Sequence, residues 1–223
     1  MPRIHYQQQL AHLKDNLLAM AALAQQTMDC AMDGYLKADT ILLHHVLENE
    51  TAINAAERSV DEMAYDLMAM EQPMAIDLRF LLAVIKINGD LERIGDQSVN
   101  IAERATEMLQ MPHAELPVNL HDLGEMTERM IRLALQSLLD GDVTMAKSVL
   151  TMDDEVDRMN REVHETMIRT IQQHPEWTEQ ALNTIIISRN LERIGDHATN
   201  IAEDVIFWVH GADVRHQLNL AID

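Results

Sequence analysis

The sequence predicts an all-α fold of six long helices, arranged as two tandem three-helix bundles. Three observations lead there. Gly (7) and Pro (5) are scarce and aromatic residues make up only 3% of the 223 positions, whereas strand-rich folds need turn residues and favour aromatic and β-branched ones. Apolar residues recur at helical spacing over stretches far longer than a strand. Finally, Leu91–Glu103 (LERIGDQSVNIAE) and Leu191–Glu203 (LERIGDHATNIAE) agree at ten of thirteen positions after a shift of 100, differing only at 97/197, 98/198 and 99/199. A segment repeated at such a distance marks a duplicated structural unit.

The first helix is expected over residues 4 to 36, where Leu10, Leu13, Leu17, Met20 and Leu23 fall on one face. LKADT breaks that pattern, and Asp39 is a good N-cap for a second helix running to about Met70. Pro73 opens a third, since proline suits a first helical turn, and this helix runs to about Gln110. MPHAELP, residues 111 to 117, is the linker. The fourth helix spans about Asn119 to Leu139, and LDGD then places Gly141 at a C-cap and Asp142 at the next N-cap. A fifth helix continues to about Gln173, and Pro175 starts a sixth that ends near Gly211.

The second half repeats the first throughout. LKAD (36–39) matches LDGD (139–142), and Glu50 and Asn54 match Asp153 and Asp157, at an offset of 103. The LERIGD pair has an offset of 100, so the three-residue difference falls at the junction of second and third helices, where length changes are tolerated. The expected units are residues 1–112 and 113–223, each a small antiparallel bundle.

Composition excludes several functions. The net charge is −20, from 17 basic and 37 acidic side chains. Such a body repels nucleic acid, whose binding depends on Lys and Arg neutralising phosphates. It also weighs against binding phosphate directly without a metal. The lone Cys30 permits no internal disulfide. The N-terminal stretch lacks a signal-peptide core, and no run of about 18 apolar residues could span a bilayer. The chain reads as cytoplasmic, with membrane contact only through a partner. Sixteen methionines suit core filling and also adaptable partner surfaces.

The helical phase of LERIGD is informative. Glu92, Asp96 and Asn100 stand four apart and each step turns by about 40°, so they share a narrow face, to which Glu103 returns. Leu91, Ile94 and Ile101 point the other way, toward the core. Glu192, Asp196, Asn200 and Glu203 repeat this, backed by Leu191, Ile194 and Ile201. The second helices carry matching stripes, Glu50 with Asn54 and Asp153 with Asp157. If neighbouring stripes face one another, each unit gathers four oxygen-bearing side chains. Carboxylates four apart repel along a helix, and a bound cation would offset this. Such donors suit Mg, Ca or Mn, and carboxylate-rich sites also take iron. Gly95 and Gly195 weaken their helices unless a neighbouring helix or a ligand comes close. Arg93 and Arg193 are read as partners of the carboxylates, and His197, beside Asp196, as a surface side chain. P-loop, dinucleotide and nucleophile-elbow motifs are all missing. Glu-x-x-His, the mark of di-metal oxidising bundles, does not occur either. A metal-storage or metal-dependent enzyme built on an acidic bundle is the alternative that this absence disfavours.

QPMAIDLRFLLAVIKINGDLERIGDQSVNIAE (72–103), DDEVD (153–157) and RNLERIGDHATNIAE (189–203) resemble the PhoU family of bacterial phosphate-transport accessory proteins and phosphate-signalling regulators. GADVRH at 211–216 resembles that family's end. The resemblance implies two tandem three-helix bundles, a homodimer, no catalysis, and metal clusters, often iron or zinc. Its ligand pairs would be Glu92/Asp96 with Glu50/Asn54, and Glu192/Asp196 with Asp153/Asp157. Asn54 departs from the carboxylate pattern, so the second site is expected to bind more tightly. The implied partners are the ATPase subunit of an ABC phosphate importer and a membrane sensor histidine kinase, and the implied role is to hold the phosphate-starvation response off.

Overall fold

A computed structural model describes residues 2–71, 73–211 and 214. Seven α-helices follow in order: α1 (Pro2–Lys37), α2 (Thr40–Glu71), α3 (Ile76–Leu109), α4 (His121–Asp140), α5 (Val143–Leu150), α6 (Asp153–Gln173) and α7 (Thr178–His210). No strand occurs among the described residues. α1, α2 and α3 pack on one another, as do α4, α5, α6 and α7, so the tandem three-helix architecture stands. No helix of the described residues is long and apolar enough to cross a membrane. Most of GADVRH lies outside the described residues.

The caps explain the corners. Asp39 accepts from the backbone N–H of Ile41 (2.9 Å) and Leu42 (3.3 Å), satisfying two donors that helix geometry leaves open. Asp142 does the same for Thr144 and Met145. Gly141 and Gly211 end α4 and α7 with left-handed backbones, φ 65° and 72°. In the first unit the same corner uses Ala38 at φ 54°, a conformation that glycine adopts with less cost.

Two boundaries differ from expectation. Pro73 does not open α3. The helix begins at Ile76, after Ala75 turns the chain at φ 47°. The expected fifth helix is divided, with Thr151 and Met152 separating α5 from α6. There the Thr151 hydroxyl donates to the Ser148 carbonyl at 2.8 Å, a local bond that competes with the helical ladder. Asp153, Asp154 and Glu155 then occupy the first turn of α6, where negative charge is favoured by the helix dipole. Pro175 lies in a 3₁₀ turn, Pro175–Trp177, just before α7.

The bundles join mainly through α3 against α7, and through α1 against α4. Arg79 Nε donates to the Trp208 carbonyl at 3.1 Å. Further along, Lys86 pairs with Asp204 at 2.7 Å and Asp90 with His197 at 2.8 Å. Numbers rise on α3 as they fall on α7, so the two helices run antiparallel. Equivalent positions meet near Ile94 and Ile194, which makes the units approximately twofold-related about this crossing. α1 meets α4 closely too: a Cβ on Gly124 would stand 2.7 Å from Met32 Cε. One hydrophobic cluster runs through both units.

The expected core face holds. Leu91, Ile94, Ile101, Leu191, Ile194 and Ile201 are all fully buried. Ile94→Asp would place a charge in that interior with no partner, at a cost on the order of 4 kcal/mol. A drop of many degrees in melting temperature is expected, and an unchanged melting curve would show the helical phase to be misassigned.

Candidate metal-binding faces

Each acidic face forms where the second and third helices of a unit meet. α2 supplies Glu50 and Asn54 and α3 supplies Glu92 and Asp96; α6 supplies Asp153 and Asp157 and α7 supplies Glu192 and Asp196. Ile53 and Val156, equivalent residues of the second helices, seat these elements over Gly95 and Gly195. A Cβ at 95 would lie 2.9 Å from Ile53 Cδ1, and one at 195 would lie 3.4 Å from Val156 Cγ1. Close approach of the neighbouring helix accounts for glycine at 95, whereas at 195 a Cβ would meet only ordinary contacts.

The carboxyls register one another across the helix gap. Burial raises Glu92 above the usual carboxylate range, with Asp96, Glu57 and Glu50 adding to it and Arg93 opposing. Asp96 is raised by burial and then by Glu50. In the second unit, burial followed by Asp196 and Asp157 raises both Asp153 and Glu192. Asp196 is raised by burial and Asp157, while His197 and Arg193 pull it down. In every case desolvation and like charge both disfavour the anion. A groove of about 480 Å³ opens beside Glu192 and Asp196, lined also by Asn160, His164, Arg189 and Arg193.

Neighbours occupy parts of these faces. Asn54 donates its amide N–H to Glu50. Thr199 donates to Asp153 at 3.3 Å, and Arg161 pairs with Asp157 at 3.6 Å. Glu57 belongs to the first face and was missed, although it sits seven residues after Glu50, two helical turns on. It gives the first face a fourth carboxylate, one turn displaced, at the position equivalent to Asn160. Among the described residues, the one group of three ligand atoms within 4.8 Å of one another is His121, Asp122 and Glu125. These are exposed near the start of α4, a helix that contributes no residue to either face. No three carboxylates of the predicted faces come that close to one another. Their oxygen-only, partly desolvated and mutually repelling donor set still fits a hard cation.

Two expectations are corrected. His197 is not a surface side chain: it is 13% exposed and its Nδ1 bonds Asp90 across the α3–α7 crossing, where Asn200 also donates to Asp90 at 3.1 Å. Arg93 and Arg193 make no hydrogen bond or ion pair among the described residues. They act on Glu92, Glu192 and Asp196 only through space.

A duplicated helical unit with an acidic face on each copy defines a class of tandem-bundle proteins. This chain belongs to the PhoU family, whose PhoU-domain model matches residues 17–105 and 120–205. It is 36% identical to the phosphate-specific transport system accessory protein PhoU homolog of Pseudomonas aeruginosa, over 93% of this chain and 86% of that one. PhoU homolog 1 of Thermotoga maritima is 30% identical over 96% and 93%. A crystal structure of PhoU from P. aeruginosa superposes with a TM-score of 0.89 at 34% identity, covering 93% of this chain and all (100%) of that chain. The phosphate transport system regulatory protein PhoU of Streptococcus pneumoniae shares the fold, with a TM-score of 0.85 at 22% identity over 94% and 99%.

The glycines give the first site-level prediction. Gly195→Ala should stabilise by about 0.5–1 kcal/mol, because alanine removes the entropy cost of a helical glycine and meets only ordinary contacts. Gly95→Ala should forfeit that gain, since the fully buried Ile53 must shift. Thermal denaturation of the two variants checks the difference.

The raised carboxyls give the second. Asp29, between α1 and α4, is pushed up to about 6 by burial first, then by Glu128 and Asp33, with Arg132 opposing. A carboxyl whose pKa is higher folded than unfolded stabilises the fold most below its unfolded pKa. That stability is lost as pH rises through the folded pKa. Lowering pH from about 7.5 to about 5.5 in chelator should therefore raise the melting temperature. Asp29→Asn should flatten the slope and raise stability at the upper end.

Proposed function

We propose that this protein is a non-catalytic regulator of phosphate homeostasis. It acts as an adaptor between the ATPase subunit of an ABC phosphate importer and a membrane sensor histidine kinase, and it holds the phosphate-starvation response off while phosphate is sufficient. The observation behind this is the nearly end-to-end likeness to relatives named phosphate-specific transport system accessory proteins. The working form is a cytoplasmic homodimer that meets the membrane only through its partners. Deleting the gene should switch on phosphate-starvation genes in phosphate-replete medium, with restoration by the wild-type chain. Unaltered repression in the deletion strain would overturn the regulatory role. Light scattering at micromolar concentration should give twice the monomer mass; a monomer alone would remove the dimer.

The two acidic faces hold metal ions in this proposal, iron or zinc by family likeness, with Mg, Ca or Mn also compatible with oxygen donors. A bound cation would supply positive charge that relieves the carboxylate repulsion. The residues that would hold it are Asp153, Asp157, Glu192 and Asp196 in one unit, and Glu50, Asn54, Glu92 and Asp96 in the other, with Glu57 close by. The second face is expected to be the tighter. Its four carboxylates are matched, whereas Asn54 brings a neutral amide that engages Glu50. Asp157→Asn should weaken the second site on the order of tenfold and Asn54→Asp should strengthen the first, because affinity for hard cations follows ligand charge. Calorimetric metal titration reads both effects, and adding metal should also raise the melting temperature. Equal affinities that neither substitution moves would remove the ligand assignment.

A further inference from the structure

The α3–α7 crossing carries a second constellation, which adjoins the second acidic face at Asp196. Arg93 and Arg193 are equivalent residues of the two repeats, and the antiparallel crossing brings both to one groove of about 520 Å³. Gln97, Asp196, His197, Thr199 and Asn200 complete its lining. Both arginines are exposed and form no hydrogen bond or ion pair among the described residues, although the chain has more than twice as many acidic as basic side chains. The Gln97 side-chain carbonyl oxygen is buried and has no hydrogen-bond partner among the described residues. The His197 ring is fixed from behind through Nδ1 by Asp90.

We propose that this groove binds a small tetrahedral oxyanion that carries a proton, with hydrogenphosphate as its representative, between the guanidinium groups of Arg93 and Arg193. Planar guanidinium forks match such an anion geometrically as well as electrostatically. Asp196 selects the protonated kind. An ionised carboxylate only accepts hydrogen bonds, so it repels sulfate, which has no proton to give at neutral pH, and can accept one from hydrogenphosphate. The net negative charge of the chain does not forbid this. Distant surface charges are screened over about 8 Å at physiological salt, whereas the two guanidinium groups would touch the anion directly. The site goes beyond the regulatory role and requires no metal.

The test is calorimetric titration of the chelator-treated full chain at fixed ionic strength with inorganic phosphate, sulfate or chloride. One phosphate per chain should bind saturably, with sulfate about tenfold weaker or worse and chloride giving no saturable signal. Arg93→Gln and Arg193→Gln should each weaken phosphate binding about tenfold or more, the effect of losing a charge-assisted contact. Arg129→Gln, which makes the same charge change at an exposed position on α4, should leave it unchanged. Both groove arginines are exposed, so unchanged melting curves should confirm that the variants fold. Absence of saturable phosphate binding, or equal losses in all three variants, would overturn the site. Sulfate binding as tight as phosphate would overturn the selection by Asp196 and the identity of the ligand. Because the titration excludes metal, a negative result leaves the acidic faces and the regulatory role untouched, and failure of either of those leaves this site standing.

Discussion

The packing of α3 against α7 governs the molecule. Each of these helices is covered by its own bundle on one side and by the other's central helix on another. Around the turn of LERIGD, isoleucine must enter the core, glycine lies against the neighbouring second helix, and the acids must face outward beside that same helix. The arginine is left to the groove between the two central helices. Four consecutive residues, Arg93 to Asp96, therefore answer to different surroundings at once. A helix turns about 100° per residue, so consecutive positions can do this without compromise. The identity of the two LERIGD segments follows from their sharing one crossing.

Much of this was legible in the chain because helical phase is local. The buried isoleucines, the caps at Asp39, Gly141 and Asp142, and the sharing of acidic stripes between second and third helices all follow from spacing within a helix or between neighbours. What escaped depends on relations that spacing does not encode. The Asp90–His197 pair needed the approach of one bundle to the other, and no periodicity within α7 shows which of its partly polar faces will be covered. The division at Thr151 and Met152 was signalled by the acidic run that follows it, but apolar periodicity continues across the gap and concealed it. Glu57 was overlooked because the repeat directed attention to positions that match, and its counterpart is Asn160.

The acidic faces and the basic groove are adjacent because they belong to successive residues of the same turns. Asp196 borders both, and Arg193 pulls its carboxyl down across the same short span. Charge placed on either side is felt on the other at distances well inside the screening length. The electrostatic character of this surface is accordingly set by a few side chains on α3 and α7, while most of the net negative charge lies elsewhere.

The ion pairs across the crossing occupy one side only. Lys86 meets Asp204 and Asp90 meets His197, while the positions related by the approximate twofold are Ile186 with Arg104 and Asn190 with Gln97. Two separate identical chains meeting in this way could not be so arranged, because every substitution would appear on both sides of the axis. Joining the copies through the 111–117 segment lifts that restriction. One flank can be clamped by ion pairs while the other, though it carries Arg104, has none across the crossing among the described residues, and the two halves of a symmetrical architecture can take up different work.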